Sequence, residues 1–245
     1  MNILLLAGSG EARALAVALV AENHQVTASL SGATREAKRY ACKTRVGGFG
    51  GDIGFEAYLN RSKPDLVIDA THPFAVNVSS RSHRICQTNG MPYLQLLRTE
   101  WAPEENDNWH MIDAPENARA LIPTAARVFL ATGRQTLAAF GNLDDCHLIC
   151  RQIDPPDGPF PFPNGEFLVG RPPFSVEDEV ALFKMLKIDF LVVKNAGGTA
   201  SRSKLDAARI LGLPVIMIRR PPLLNAPQVA TVDAALNWIN TYADH

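Results

Sequence analysis

Cysteine is scarce in this chain and is not spaced for chemistry. Cys42, Cys86, Cys146 and Cys150 form no CxxC pair, and no Cys/His grouping has structural-zinc spacing, so neither a metal nor a disulfide framework is expected. Cys146 and Cys150 would share one face of a strand, which reads as a buried apolar face. Long hydrophobic runs are lacking too. Nothing approaches about 18 consecutive apolar residues, so no membrane-spanning helix is expected. The opening Met1-Asn2-Ile3-Leu4-Leu5-Leu6 is too short an apolar run for a secretory leader and has no basic flank. Charge of one sign is also missing. Lys and Arg total 24 against 25 Asp and Glu, a formal charge of −1, which removes the basic field that nucleic acid or a membrane surface would require. Lysine is sparse, 7 against 17 arginines; recognition of phosphates or carboxylates produces that bias, and so does a GC-rich genome. These absences leave a cytoplasmic protein with reduced cysteines and no nucleic-acid or membrane partner. Its oligomeric state, monomer included, stays open.

At about 150 residues per domain, 245 residues allow one large domain or two small ones. With 47% hydrophobic and 20% charged residues, the chain has globular composition and enough length to bury a core without covalent staples. The apolar run Ile3 to Ala7 meets Gly8-Ser9-Gly10 and then Glu11 to Glu22, where Ala and Leu recur at helical spacing. Strand, glycine turn and helix open a βαβ unit. Gln25 to Leu30, Asp65 to Asp69 and Tyr93 to Leu97 read as further strands with helices between them, which implies a mainly parallel sheet covered on both faces.

The second half repeats this plan. Val128 to Gly133 mirrors Ile3 to Gly8, and Val169-Gly170 mirrors Val46-Gly47. Asp189 to Val193 mirrors Asp65 to Asp69, and Gly212-Leu213-Pro214 mirrors Gly90-Met91-Pro92, all at an offset close to half the chain. The expected fold class is therefore α/β: two similar Rossmann-like lobes, residues 1–100 and 101–245, with mainly parallel sheets and a cofactor and substrate cleft between them. The connector, about residues 98–115, is acidic and aperiodic and reads as a solvated crossover, although Trp109 to Asp113 could form a short strand. Asp154 to Gly165 holds five prolines and reads as a loop that cannot enter a sheet interior.

Open α/β sheets bind ligands beyond the carboxyl ends of their strands. In Gly8-Ser9-Gly10 the first glycine permits a tight turn, and the second lets the backbone approach a pyrophosphate at a helix N-terminus. Arg13 stands where a dinucleotide fingerprint has its third glycine, so a plain strand-to-helix turn would read the same. At the end of the second strand, Ser31-Gly32-Ala33-Thr34-Arg35 offers no acid to a ribose 2′-hydroxyl; Ser31 and Arg35 could instead hold a 2′-phosphate, which favours NADP over NAD. The alternative is that Arg35 starts a solvated helix with Lys38 and Arg39. Gly47, Gly48, Gly50 and Gly51 would open the backbone to a ligand, and Phe49 could lie against an adenine or nicotinamide face. Thr71-His72-Pro73 leaves the fourth strand at the same edge; His72 is either a structural histidine or a group that binds ligand or donates a proton near neutral pH. The counterpart loop is Lys194-Asn195-Ala196-Gly197-Gly198-Thr199-Ala200-Ser201-Arg202. Between Leu191 and Pro222, six basic residues face Asp206 alone, a patch suited to a polyanion. Lys204 and Arg209 read as a solvated face, whereas Lys194 ends an apolar strand and should be partly desolvated.

The stretches LLLAGSGEARALA, GGFGG, VIDATHPFA and KNAGGTASRSKLDAARILGLPVIMIRRP, in that order over nearly the whole chain, resemble the precorrin-6A reductase family of cobalamin (vitamin B12) biosynthesis. The resemblance implies two Rossmann-type lobes with NADPH between them. It also implies hydride transfer to a double bond of precorrin-6A, giving precorrin-6B. The expected cofactor set is Gly8, Ser9, Gly10, Ser31, Arg35, Gly47, Gly48, Phe49, Gly50, Gly51, Thr71 and Asn195. His72 and Lys194 are the candidates for catalysis. A tetrapyrrole polycarboxylate would meet Lys194, Ser201, Arg202, Arg134 and Arg171. Two other functions fit a chain of this kind: an NADP-dependent reductase of a small conjugated imine, of the dihydrodipicolinate type, and a non-catalytic NADP-sensing module. Oxidation of the cofactor with a substrate separates the sensor from any reductase.

Overall fold

The computed structural model describes residues 1–32 and 39–243. The chain divides into two units, Met1–Thr99 with Pro221–His245, and Glu100–Arg220. The first begins with β1 (Asn2–Leu6), α1 (Gly10–Ala21), β2 (Gln25–Leu30), β3 (Lys43–Val46), α2 (Gly51–Ser62), β4 (Leu66–Asp69), α3 (Val76–Thr88) and β5 (Tyr93–Leu96). The second holds β6 (Trp109–Ile112), a 3-10 segment at Pro115–Ala120, β7 (Arg127–Leu130), a longer 3-10 segment at Arg134–Leu143, and β8 (His147–Gln152). It continues with β9 (Gly165–Val169), α4 (Val176–Leu186), β10 (Phe190–Lys194), α5 (Ser203–Leu211) and β11 (Val215–Ile218). The chain then returns to the first unit with β12 (Gln228–Val229) and α6 (Val232–Ala243).

The sheets run β12-β5-β4-β1-β2-β3 and β6-β11-β10-β7-β8-β9. Every described pairing in them is parallel. Strands covered on both faces are mostly apolar, and β4, β5 and β11 are buried at every position. Strand β1 divides its side chains between the two faces by the period of two. Ile3 and Leu5 pack with Leu15 and Leu19 of α1 and with Ala235 and Ile239 of α6. Leu4 and Leu6 face Phe55 and Leu59 of α2 and Ile85 of α3. Helix α1 starts where Ser9 caps it, the Oγ accepting from the Ala12 amide at 3.0 Å. It buries Ala12, Leu15, Ala16 and Leu19 as one stripe.

Strands β1, β2, β3, β4 and β5 hold the same places in their sheet as β7, β8, β9, β10 and β11 in theirs, and the four mirrored sequence anchors fall on these corresponding positions. The sixth strand breaks the repeat. After β5 the chain leaves the first unit and lays β6 beside β11, whereas after β11 it returns to lay β12 beside β5. The expected second lobe, 101–245, is corrected by this return: residues 221–245 belong to the first unit because β12 satisfies the open edge of β5 and α6 covers α1. The counterpart of α1 is a 3-10 segment with non-helical angles at Phe140, in a stretch whose Thr136, Gly141 and Asn142 are weak helix formers.

The solvated crossover is corrected as well. Trp109–Ile112 is strand β6, in line with the short strand read at Trp109 to Asp113, but the stretch before it is not solvated: Trp101 is 7% exposed in the second core. The acids of the connector dock it: Glu104 pairs with Arg202 and Arg209, Asp107 with Arg209 at 2.9 Å, and Asp113 with Arg219 at 2.8 Å. The proline-rich stretch is the loop between β8 and the edge strand β9, clear of the sheet interior.

Candidate functional site

At the carboxyl edge of the first sheet, four loops follow the adjacent strands β3, β2, β1 and β4. Backbone and side-chain bonds knit them together: Ala7 N–H donates to Ser29 O, Ala70 N–H to Leu6 O, Gly47 N–H to Leu30 O, each at 2.9 Å, and Ser9 Oγ to Ala70 O at 2.8 Å. Ser9 is thus 8% exposed and engaged through its hydroxyl, leaving backbone for a ligand. A Cβ placed at Gly8, Gly47, Gly48, Gly50 or Gly51 would meet nothing within 4 Å, so these backbones border open space. Gly8 holds φ +149°, a conformation that suits glycine at this turn. Gly10 and Ser31 are exposed, and Arg35 lies outside the described residues.

Phe49 turns inward. Its ring packs edge-on against Phe55 and Tyr58, with centroids 4.8 and 5.1 Å away, and the Arg45 guanidinium lies 4.0 Å from its centroid. Arg45 also donates to Ser29 Oγ at 2.6 Å and to Gly48 O at 3.0 Å, clamping the glycine loop to β2. The loop's other side needs Gly54: a Cβ there would lie 1.7 Å from the Phe49 carbonyl oxygen. Neither Arg45 nor Gly54 was picked out from the sequence, because the pattern of one strand does not say which loop its side chains hold.

Glu11, in the first turn of α1, pairs with Arg98 at 2.9 Å. Burial pushes its pKa up, but its backbone hydrogen bond and Arg98 outweigh that and hold it below the usual 4.5. Asp69 ends β4 at 1% exposure. Its carboxylate accepts from Thr71 N–H at 3.0 Å, Thr71 Oγ1 at 2.6 Å and Tyr93 OH at 2.8 Å, so Thr71 is held by its neighbour. Burial, then the charge of Asp69, pushes the Tyr93 hydroxyl above its ordinary range and the Cys86 thiol up to about 12. His72 is exposed, its Nδ1 accepting from the Phe74 amide at 3.3 Å.

In the second unit, Lys194 ends β10 half-buried, and desolvation lowers its pKa from 10.5. Asn195 is 1% exposed and committed inward: Oδ1 accepts from Trp101 N–H at 2.9 Å, and Nδ2 donates to Trp101 O at 3.0 Å. Trp101 Nε1 donates to Gly198 O at 2.6 Å, while Arg220 donates to Asn195 O and Ala196 O at 2.8 and 3.0 Å. This loop therefore grips the chain where it enters the second unit and where it leaves. The Asn195 side chain and the Phe49 ring thus support their own loops. Ser201 is half-buried, and its carbonyl accepts from Lys204. Arg202 pairs with Glu104 and Asp206, Arg134 with Asp157 at 2.9 Å, and Arg171 with Asp154 at 3.4 Å. Within the basic stretch counted along the sequence, Arg202, Arg209 and Arg219 are thus offset by Glu104, Asp107 and Asp113 from the connector. Among the described residues no group of His, Cys, Asp and Glu could hold a metal ion, and no helix is long and apolar enough to cross a membrane.

A family model described as "Precorrin-6x reductase CbiJ/CobK" matches residues 2–240. The chain belongs to that family. A precorrin-6A reductase of Rhodococcus erythropolis is 42% identical over 245 residues, covering 98% of each chain. A cobalt-precorrin-6A reductase of Priestia megaterium is 30% identical over 234 residues, covering 90% of this chain and 91% of its own. A solved structure titled "CobK precorrin-6A reductase" is 37% identical and superposes with a TM-score of 0.94, covering 98% of this chain and 97% of that one. The α/β fold with two parallel sheets is thus shared with a CbiJ/CobK member along nearly its whole length.

Proposed function

We infer that this protein catalyses the NADPH-dependent reduction of precorrin-6A to precorrin-6B. The observation that carries the reading is the first sheet's carboxyl edge, where five glycine backbones border open space next to a helix N-terminus, in a chain of the CbiJ/CobK family; in sequence, residues 31–35 after β2 hold no acid. The amides around Gly8, Ser9 and Gly10 and the loop Gly47 to Gly51 would hold the pyrophosphate, with Thr71 at the neighbouring strand end. Ser31 and Arg35 would take the 2′-phosphate, for which a carboxylate would be repulsive. The bound dihydronicotinamide supplies the hydride, and the protein binds, orients and supplies a proton.

Lys194 is one candidate proton donor, half-buried at the end of β10, where desolvation lowers its pKa from 10.5. His72, exposed at the end of the first sheet, is the other. The carboxylate arms of the macrocycle would meet Arg134, Arg171 and Arg202 beside Ser201, exchanging with the acids that now pair with these arginines. The higher identity to the relative named for precorrin-6A than to the one named for its cobalt form supports the cobalt-free macrocycle as substrate. The test is NADPH absorbance under anaerobic conditions with enzymatically prepared precorrin-6A, beside NADH, cobalt-precorrin-6A and no-enzyme controls. Stoichiometric oxidation that prefers NADPH, with a shift in the macrocycle spectrum, is expected. Tight NADPH binding without turnover of either macrocycle would refute the reductase reading.

A further inference from the structure

The second unit carries a pocket of about 550 Å³ of which the reading above uses only the rim residue Arg134. It lies at the carboxyl end of β8, under the proline-rich loop, with Leu137, Pro159, Phe162 and Phe167 among its apolar walls. Its size is that of a small-molecule site. At its base is Gln152, 6% exposed, with neither Oε1 nor Nε2 partnered. On the adjoining strand end, Thr132 is 8% exposed and its Oγ1 is also unpartnered. An amide buried with both functions unmade is costly, and each unsatisfied buried group calls for a reason.

The chemistry of the pocket narrows what could fill it. A carboxylate would satisfy Nε2 and repel Oε1, whereas a primary amide in a dry site wants an acceptor and a donor side by side. The N7 and N6–H₂ edge of adenine presents that pair, and a glutamine reads it with two parallel hydrogen bonds. Phe162 and Phe167 offer aromatic surface for a flat base, Phe167 lying edge-on to Phe160 at 4.9 Å in the same cluster. At the rim, Arg134 pairs with Asp157 at 2.9 Å and could exchange that partner for a phosphate. We propose that this pocket binds the adenine of a nucleotide, with Gln152 reading the base edge and Arg134 meeting the phosphate. The nucleotide is a free one, because the reading above takes the 2′-phosphate of the cofactor's own adenosine ribose to Ser31 and Arg35 in the first unit.

The experiment is calorimetric titration of the full chain with AMP, with and without saturating NADP⁺, in wild type and in Gln152→Met, with GMP as the base control. The variant removes the unmade amide and keeps the side-chain length, so a melting temperature at or above wild type is expected. AMP binding that persists under NADP⁺ and weakens roughly ten- to hundredfold in the variant assigns the pocket to a free nucleotide. AMP binding that NADP⁺ abolishes, with AMP affinity unchanged in the variant, would place AMP in the cofactor site and overturn the proposal. AMP and NADP⁺ affinities unchanged within about twofold in a folded variant would overturn the proposal. Photolabelling of wild type by 8-azido-AMP supplies a second readout: labelled peptides should fall within 134–167, and labelling confined to 1–99 would also overturn it. Turnover of precorrin-6A by the same preparations reports on the reductase reading separately, so either idea can fail without the other.

Discussion

Glu11 places a carboxylate in the first turn of α1, next to the glycine turn where a pyrophosphate would sit, and Arg98 offsets that charge at 2.9 Å. Arg98 and Arg35, the latter proposed for the 2′-phosphate, are therefore expected to act differently. Arg98→Ala should weaken NADPH and NADH alike, by about 0.5–1 kcal/mol, since both share the pyrophosphate that Glu11 would then repel. Arg35→Ala should cost NADPH about 1.5–3 kcal/mol and leave NADH nearly unchanged, because only NADPH has the 2′-phosphate. Direct titration of both cofactors reads the difference, and equal losses in Arg35→Ala would remove it from the phosphate site. Lys194 gives a pH prediction. A proton donor works only while protonated, so kcat should fall as pH rises through its pKa, which desolvation sets below 10.5. Lys194→Gln should remove that limb together with most of the rate; a pH–rate profile retaining the limb would take the role from Lys194. The glycine turn, the lack of an acid at residues 31–35 and the desolvation of Lys194 were all legible in the sequence, since each depends on neighbours within a few positions. The inward turn of Phe49 and the commitment of Asn195 to Trp101 were not, because their partners come from other loops.

At the scale of elements, β8 and α4 are joined by a buried ion pair. Arg151 donates to both carboxylate oxygens of Glu179 at 2.8 Å, with the side chains 10% and 1% exposed. The Arg151 guanidinium also lies 4.4 Å from the Phe174 ring centroid. Removing one partner leaves a buried charge uncompensated, so Glu179→Leu should lower stability by about 3–5 kcal/mol. The double change Arg151→Met with Glu179→Leu should recover most of that loss, since apolar replacements of both partners need no desolvation. Denaturant melts of the three proteins check it; a double variant as unstable as the single one would mean that Arg151 acts through its ring contacts instead. The helix over Val176–Leu186 and the strand over His147–Gln152 each follow from periodicity and capping, as at Ser175, whose Oγ accepts from the Asp178 amide at 3.0 Å. That Glu179 points inward to an arginine from a different strand is a property of their packing.

The whole molecule is two sheets whose sixth strands are exchanged along the chain. A chain ending at Arg220 would lack β12 and α6, uncovering the edge of β5 and the face of α1 that meets Ala235 and Ile239, both fully buried. The expected outcome is loss of amide-exchange protection in β1 and β4 with protection kept in β7 and β10, because the second unit retains all six of its strands. Adding residues 221–245 as a separate peptide should restore the first unit in part, and equal protection of both units without it would contradict this view of the return segment.

The sequence by itself determined the class of fold, the twofold repeat of strand order, the glycine-bordered edge of the first sheet and the kinship to corrinoid reductases. These rest on runs of buried apolar residues, turns and short motifs, which local chemistry encodes. Tertiary structure alone decided which unit receives residues 221–245, how the acidic connector docks, and that Gln152 sits unpartnered in a pocket. Glu104 meets Arg202, and Asp107 meets Arg209, across roughly a hundred positions of chain. A charge compensated at that distance, or a strand edge closed by a distant segment, leaves no periodic trace in the stretch that carries it; only the folded chain brings the two halves of such a pair together.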